Sequence, residues 1–186
     1  MLAWQSLVSG YILTFYQMFW LLIDPETVLH QDRKITRGAF PMTCKLTMTL
    51  ISESQEGECG DDWKYDLEVQ VVDDGILGEG RISVPKHVLE SGAIREPYGS
   101  PAPVLLYEGQ CVDEFLLKMH LTATEVDMFV NDVGKISKEI TIESPLPGTH
   151  KTTREVDIAA DVLEAPRILN KSAVFTLRVR FTLSRD

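Results

Sequence analysis

The feature that most constrains this chain is a strict two-residue alternation near its end, where Phe175, Leu177, Val179, Phe181 and Leu183 interleave with Thr176, Arg178, Arg180 and Thr182. Successive side chains of a strand point to opposite faces, so this segment is a strand with one buried and one wet face. The pattern recurs. Met42, Cys44, Leu46, Met48 and Leu50 alternate with Thr43, Lys45, Thr47 and Thr49, and Tyr65, Leu67, Val69 and Val71 alternate with Asp66, Glu68 and Gln70. Phe115, Leu117, Met119, Leu121 and Ala123 form a third such set, and Val156, Ile158, Ala160 and Val162 a fourth. One-sided strands separated by turns, without a βαβ rhythm, predict a mainly β fold of antiparallel sheets, either a sandwich or a half-closed barrel. With 186 residues, 44% of them hydrophobic, the chain can bury its own core. One β-rich domain over residues 41–186 is expected, preceded by an arm and connection over residues 1–40.

The segments between these strands read less regularly. Residues 52–62 are polar and acidic and are expected to be a loop. Residues 81–84 read as a short strand stopped by Pro85, and residues 86–90 as a single helical turn. Pro97, Gly99, Pro101 and Pro103 make residues 95–103 an ordered loop or a mobile flap, ahead of a buried strand at residues 104–107. Asn131-Asp132-Val133-Gly134 is expected to turn the chain into a strand carrying Ile136, Ile140 and Ile142.

Residues 1–23 carry no charge and are dense in Leu, Ile, Phe, Tyr and Trp. No basic start or small-residue cleavage pattern marks them as a secretory leader. Ser6, Ser9, Gly10, Thr14 and Gln17 draw a narrow polar stripe at helical spacing through a run that would need about 20 apolar residues to span a bilayer. Three readings stay open: a helix or strand packed on the chain's own sheet, a helix docked on a partner or a membrane surface, and a membrane span. In the second, Trp4, Phe15, Phe19 and Trp20 are the contact residues.

Charge and chemistry narrow the function. The net charge of −10 repels nucleic-acid backbones, so nucleic acid is not an expected partner. Cys44, Cys59 and Cys111 are odd in number and fit neither a CxxC pair nor a zinc knuckle. The simpler reading is free thiols in a reducing, cytoplasmic setting, with a single bridge as the alternative. His30, His87, His120 and His150 sit in unrelated contexts, so no nucleophile–base set is predicted, and His120 is expected to be solvated. The acidic pairs Asp61-Asp62, Asp73-Asp74 and Asp113-Glu114 lie in turn-like sequence and read as surface charge. A calcium site would draw on Asp73, Asp74 and Asp132 as hard oxygen ligands, although no EF-hand spacing occurs. Gly75, Gly78 and Gly80 lack the features of a phosphate loop. Asn170-Lys171-Ser172 matches a glycosylation acceptor but is discounted for want of other signs of secretion. Arg178 and Arg180, with Arg154, Arg167 and Lys171, are expected to pair with acidic neighbours rather than face an anionic surface.

Two resemblances accompany this reading. Residues 66–85, DLEVQVVDDGILGEGRISVP, resemble the strand, acidic loop, Leu-Gly and strand passage of the lipid-binding sandwich module of synaptotagmin and protein kinase C. Only Asp73 and Asp74 match that family's calcium-holding loop aspartates, so the resemblance implies a calcium-free relative. Glu79-Gly80-Arg81 with Pro85, then Leu106-Tyr107-Glu108-Gly109 and the strand over residues 115–124, resemble in order the corresponding passage of rhabdovirus matrix proteins. That resemblance implies a matrix-type assembly protein beneath a membrane. The chain lacks the lysine-rich amino terminus and Pro-Pro-x-Tyr motif of that family.

The expectation is therefore a non-enzymatic structural or assembly protein without a cofactor, acting through protein–protein contacts or self-assembly and peripheral to a membrane. The alternative is a soluble binding module whose loops near Asp73, Tyr98 and Asp132 form the rim. An enzyme would require an acid–base pair assembled from distant residues, such as His120 with a loop carboxylate.

Overall fold

The structure, a computed structural model, describes residues 42–146, 148–164 and 170–185. Among these residues are nine strands and no helix: β1 (Thr43–Gly57), β2 (Asp62–Val72), β3 (Ile76–Val88), β4 (Ile94–Arg95), β5 (Val104–Gln110), β6 (Glu114–Glu125), β7 (Asp132–Glu143), β8 (Lys151–Leu163) and β9 (Ser172–Arg185). One sheet has the order β4-β1-β9-β8, with β5 also paired to β1; the other has the order β3-β2-β6-β7. Every pairing is antiparallel. The described residues form a β-sandwich, the first of the two expected architectures. Within the described residues no helix is long and apolar enough to cross a membrane.

The alternating residues fill the space between the sheets. Leu46, Met48, Leu67, Val69, Leu117, Met119, Leu177 and Phe181 are all completely buried. Each such side chain stabilises the fold by about 1.5–3 kcal/mol through the apolar surface it removes from water. Phe175 of one sheet meets Trp63 and Tyr65 of the other, with ring centroids 5.4 and 5.1 Å apart. The outward residues pair across strands: Arg178 with Asp157 and Arg180 with Glu155, at 2.7 and 2.6 Å. These two arginines are thus engaged with acidic neighbours, as expected.

The sheets also meet along their long edges. At one seam β7 lies against β8, where Lys138 Nζ donates to the Asp157 carbonyl at 2.7 Å and Arg154 donates to the Thr141 carbonyl. A Cβ on Gly134 would meet the Asp161 carbonyl oxygen at 2.5 Å, so only glycine lets the two backbones come this close. At the other seam β3 lies against β5.

Several local expectations are corrected. Residues 52–57 continue β1 instead of looping. The ladder to β9 shifts between Leu50 and Ser52, leaving Ile51 as an extra residue. Beyond that bulge the inward set changes from even to odd positions, so Glu53 and Gln55 point into the core. β3 runs through Pro85 to Val88 where a stop and a helical turn were expected. Proline is tolerated there because β3 is an edge strand and its ladder to β2 shifts beside Pro85, between Trp63 and Tyr65. The turn before β7 spans residues 126–131, and Asp132, Val133 and Gly134 already belong to the strand.

The cysteine reading also changes. Cys44 and Cys111 form a disulfide, with Cα atoms 5.0 Å apart, and Cys59 is the free, buried thiol. β5 pairs with the start of β1, and the amide of Cys111 donates to the Met42 carbonyl, which brings the two cysteines together. The argument for a reducing compartment from unpaired thiols therefore falls, since such bridges persist in oxidising surroundings.

Candidate functional site

The contact residues expected in the N-terminal arm, Trp4, Phe15, Phe19 and Trp20, lie outside the described residues, as does Arg167. The calcium set does not converge. Asp132 pairs with Glu125, which pairs with Trp63 at the start of β2, whereas Asp73 and Asp74 follow Val72 at its far end. That separation is roughly 30 Å of extended chain. The rim of Asp73, Tyr98 and Asp132 is split for the same reason. Tyr98 stacks on His87 instead, with ring centroids 5.0 Å apart. His120 is exposed, meets Ser137 Oγ at 2.7 Å and has Glu68 of β2 as its register partner.

A second carboxylate group forms at the end of the sandwich where β6 turns into β7. The alternation of β6 stops at Ala123, and Thr124 and Glu125 are buried with it. The Val126 amide donates to the Asp62 carbonyl at 2.7 Å, which ties the turn to the start of β2. In this arrangement Glu125, Asp127 and Asp132 each place one carboxylate oxygen within 4.8 Å of the others. Glu125 and Asp132 are each only 2% exposed, and Glu125 Oε2 has no hydrogen-bond partner. Gly60 makes room for this, because a Cβ there would collide with Glu125 Oε1.

The electrostatics follow from this crowding. Burial, then the charges of Asp127, Asp132 and Asp62, push the Glu125 carboxyl up to about 7 from an ordinary 4.5. Burial also pushes the Cys59 thiol up to about 11, helped by Asp132, Glu125, Glu164 and Asp127. Cys59 is therefore a protonated, unreactive thiol at neutral pH.

A pH prediction follows for the metal-free protein. Because Glu125 holds its proton more tightly folded than unfolded, its contribution to stability is fully present below pH 4.5 and is lost as pH rises through 7. The loss is on the order of 3 kcal/mol. Asp66 and Asp157, whose pKa values are lowered, act below pH 3.8 and leave this window clear. Urea melts in chelator at pH 5 and pH 8 check the slope, and Glu125→Gln should flatten it.

Directly above these carboxylates is an apolar tip. Met128, Phe129 and Val130 are 89%, 93% and 45% exposed. Around it, Glu58, Asp61, Asp127 and Glu164 from three connections make this end of the sandwich acidic. The site was missed in the sequence because Asn131 and Gly134 draw the expected turn to residues 131–134, several residues past its true start at Val126. The usable signal was an apolar triplet flanked by acids between two alternating segments. No protein-family model matches the chain, and no curated protein matches it.

Proposed function

We propose that this protein is a non-enzymatic binding module that engages a protein partner through the apolar tip of the β6–β7 hairpin. The supporting observation is the almost complete exposure of the adjacent Met128 and Phe129, greater than that of the other exposed apolar side chains such as Ile94, Leu146 and Ile76. A contiguous exposed apolar patch marks an interaction surface. The acidic surroundings define the partner as an apolar pocket ringed by lysine or arginine, a complementarity that also repels an anionic bilayer. The disulfide favours an oxidising compartment over the cytoplasm for this encounter. In the matrix-type form of this reading, the N-terminal segment with Trp4, Phe15, Phe19 and Trp20 supplies a second contact, at a membrane surface or on a neighbouring subunit.

The experiment places a photo-crosslinking phenylalanine at position 129 and, as a control, at position 146, on the full chain and on one beginning at Gln31. A single partner protein captured from position 129 alone supports the reading. Met128→Ser with Phe129→Ser should then weaken binding of that purified partner by more than tenfold without lowering the urea midpoint, since neither side chain is buried. Flotation with liposomes through the same two residues, without a captured protein, would replace the protein partner with a membrane. Assembly or flotation lost only on truncation to Gln31 would move the contact to the N-terminal segment.

A further inference from the structure

We propose that Glu125, Asp127 and Asp132 bind one hard divalent cation, calcium by its ligand chemistry, at the foot of the β6–β7 hairpin. The geometry fits a single ion. Calcium–oxygen bonds are about 2.3–2.6 Å, so ligands on opposite sides of one calcium are about 5 Å apart. The three carboxylate oxygens lie within 4.8 Å of one another.

The second observation is the unsatisfied oxygen of Glu125. Glu53, the other fully enclosed glutamate, shows how this fold treats a carboxylate that it means to keep among protein groups: Oε2 accepts from Tyr65 at 2.8 Å and Oε1 from Arg95 at 3.0 Å. Glu125 is just as deeply buried, yet its Oε2 has no partner, its side-chain hydrogen bond is with another acid, Asp127, and the charges acting on it are those of Asp127, Asp132 and Asp62. A buried carboxylate in that position is costly unless a cation or proton joins it. A Cβ on Gly60 would collide with Glu125 Oε1, so glycine there admits the carboxylate itself.

The donor set selects the ion. Three carboxylates and no histidine form an oxygen site, which suits a hard cation. Calcium accepts bidentate and irregular carboxylate arrangements, whereas magnesium demands near-ideal octahedral geometry. This inference does not depend on the docking proposed above, and the measurement below involves no partner.

The test uses the full chain, stripped with chelator, followed by thermal melting with calcium or magnesium and by terbium luminescence excited through tryptophan. Trp63 is the register partner of Glu125, so it is placed to sensitise a bound lanthanide. Calcium at about ten times its dissociation constant should raise Tm by roughly 3–6 °C, and terbium emission should appear and be competed away by calcium. Asp127→Asn, at an exposed loop position, removes a charge that crowds Glu125 and should raise Tm in chelator while weakening calcium binding at least tenfold. Asp73→Asn with Asp74→Asn, at the far end, should change neither. Absence of both the Tm shift and the emission overturns the proposal, as does a calcium response that survives Asp127→Asn. An equal response to magnesium overturns the assignment to calcium.

Discussion

Glu53→Ala is expected to destabilise the domain by about 3–5 kcal/mol, because it removes the one anion from a closed cluster of donors. The Glu53 side chain is completely buried. It accepts from the Tyr65 hydroxyl at 2.8 Å and from Arg95 Nε at 3.0 Å, while His87 Nε2 sits 3.1 Å from its Oε1 at ion-pair distance without hydrogen-bond alignment. These residues come from both sheets, Glu53 and Arg95 from one and Tyr65 and His87 from the other, so the cluster fastens the sandwich through its interior. Burial and then the Glu53 charge hold the Tyr65 phenol far above its ordinary range, so it remains a donor at any accessible pH.

After truncation, Arg95 can turn to water because its side chain is 38% exposed, but Tyr65 and His87 are enclosed and cannot. The cost therefore resides mainly in the Tyr65 hydroxyl, which loses its acceptor, and in the loss of the carboxylate beside His87. Glu53→Gln keeps an acceptor for Tyr65 and should lose less than the alanine variant. Urea melts with an unchanged m-value are the measurement. A loss under about 1 kcal/mol for alanine would mean that water reaches Tyr65 and His87.

The second large effect is on the disulfide. Opening Cys44–Cys111, which are 67 residues apart in sequence, should cost about 4 kcal/mol by releasing a long loop in the unfolded chain. For a domain of this size, that lowers Tm by about 8–16 °C. The folded state should change little, since the β1–β5 ladder around Leu46 and Tyr107 holds without the bridge. Melting with and without reductant measures the effect. Cys44→Ala with Cys111→Ala should match the reduced protein, and Cys59→Ala should leave the response to reductant intact. A reductant-insensitive melt of the parent chain would show that the bridge contributes nothing.

The alternating runs from Cys44 to Leu50, Tyr65 to Val71, Phe115 to Ala123, Val156 to Val162 and Phe175 to Leu183 were legible as strands because each obeys one period throughout and has one buried face. What escaped the sequence lies where that rule is interrupted. Ile51 shifts the count by one, so Ser52 to Gly57 looks like a polar loop although Glu53 and Gln55 lie in the core. Pro85 reads as a stop, and only its place on an edge strand makes it harmless. The disulfide depends on β5 lying beside β1, a pairing between distant segments that cysteine spacing does not encode. The acidic site behaves likewise. Asp132 was recognised as a potential ligand but matched with Asp73 and Asp74, because sequence order cannot say which strand ends share one end of the sandwich. Register supplies that, and it joins Asp132 to Glu125.

The closed seams of the sandwich carry a consequence for any higher-order architecture. A sheet protein can lengthen into ribbons when an outer strand offers its free backbone to the next molecule. Here β7 and β8 turn their borders toward each other, with lysine and arginine side chains clasping backbone carbonyls across the gap, and β3 lies against β5. Along these two seams ribbon growth finds no long free strand among the described residues, and the outer strand β4 is only two residues long.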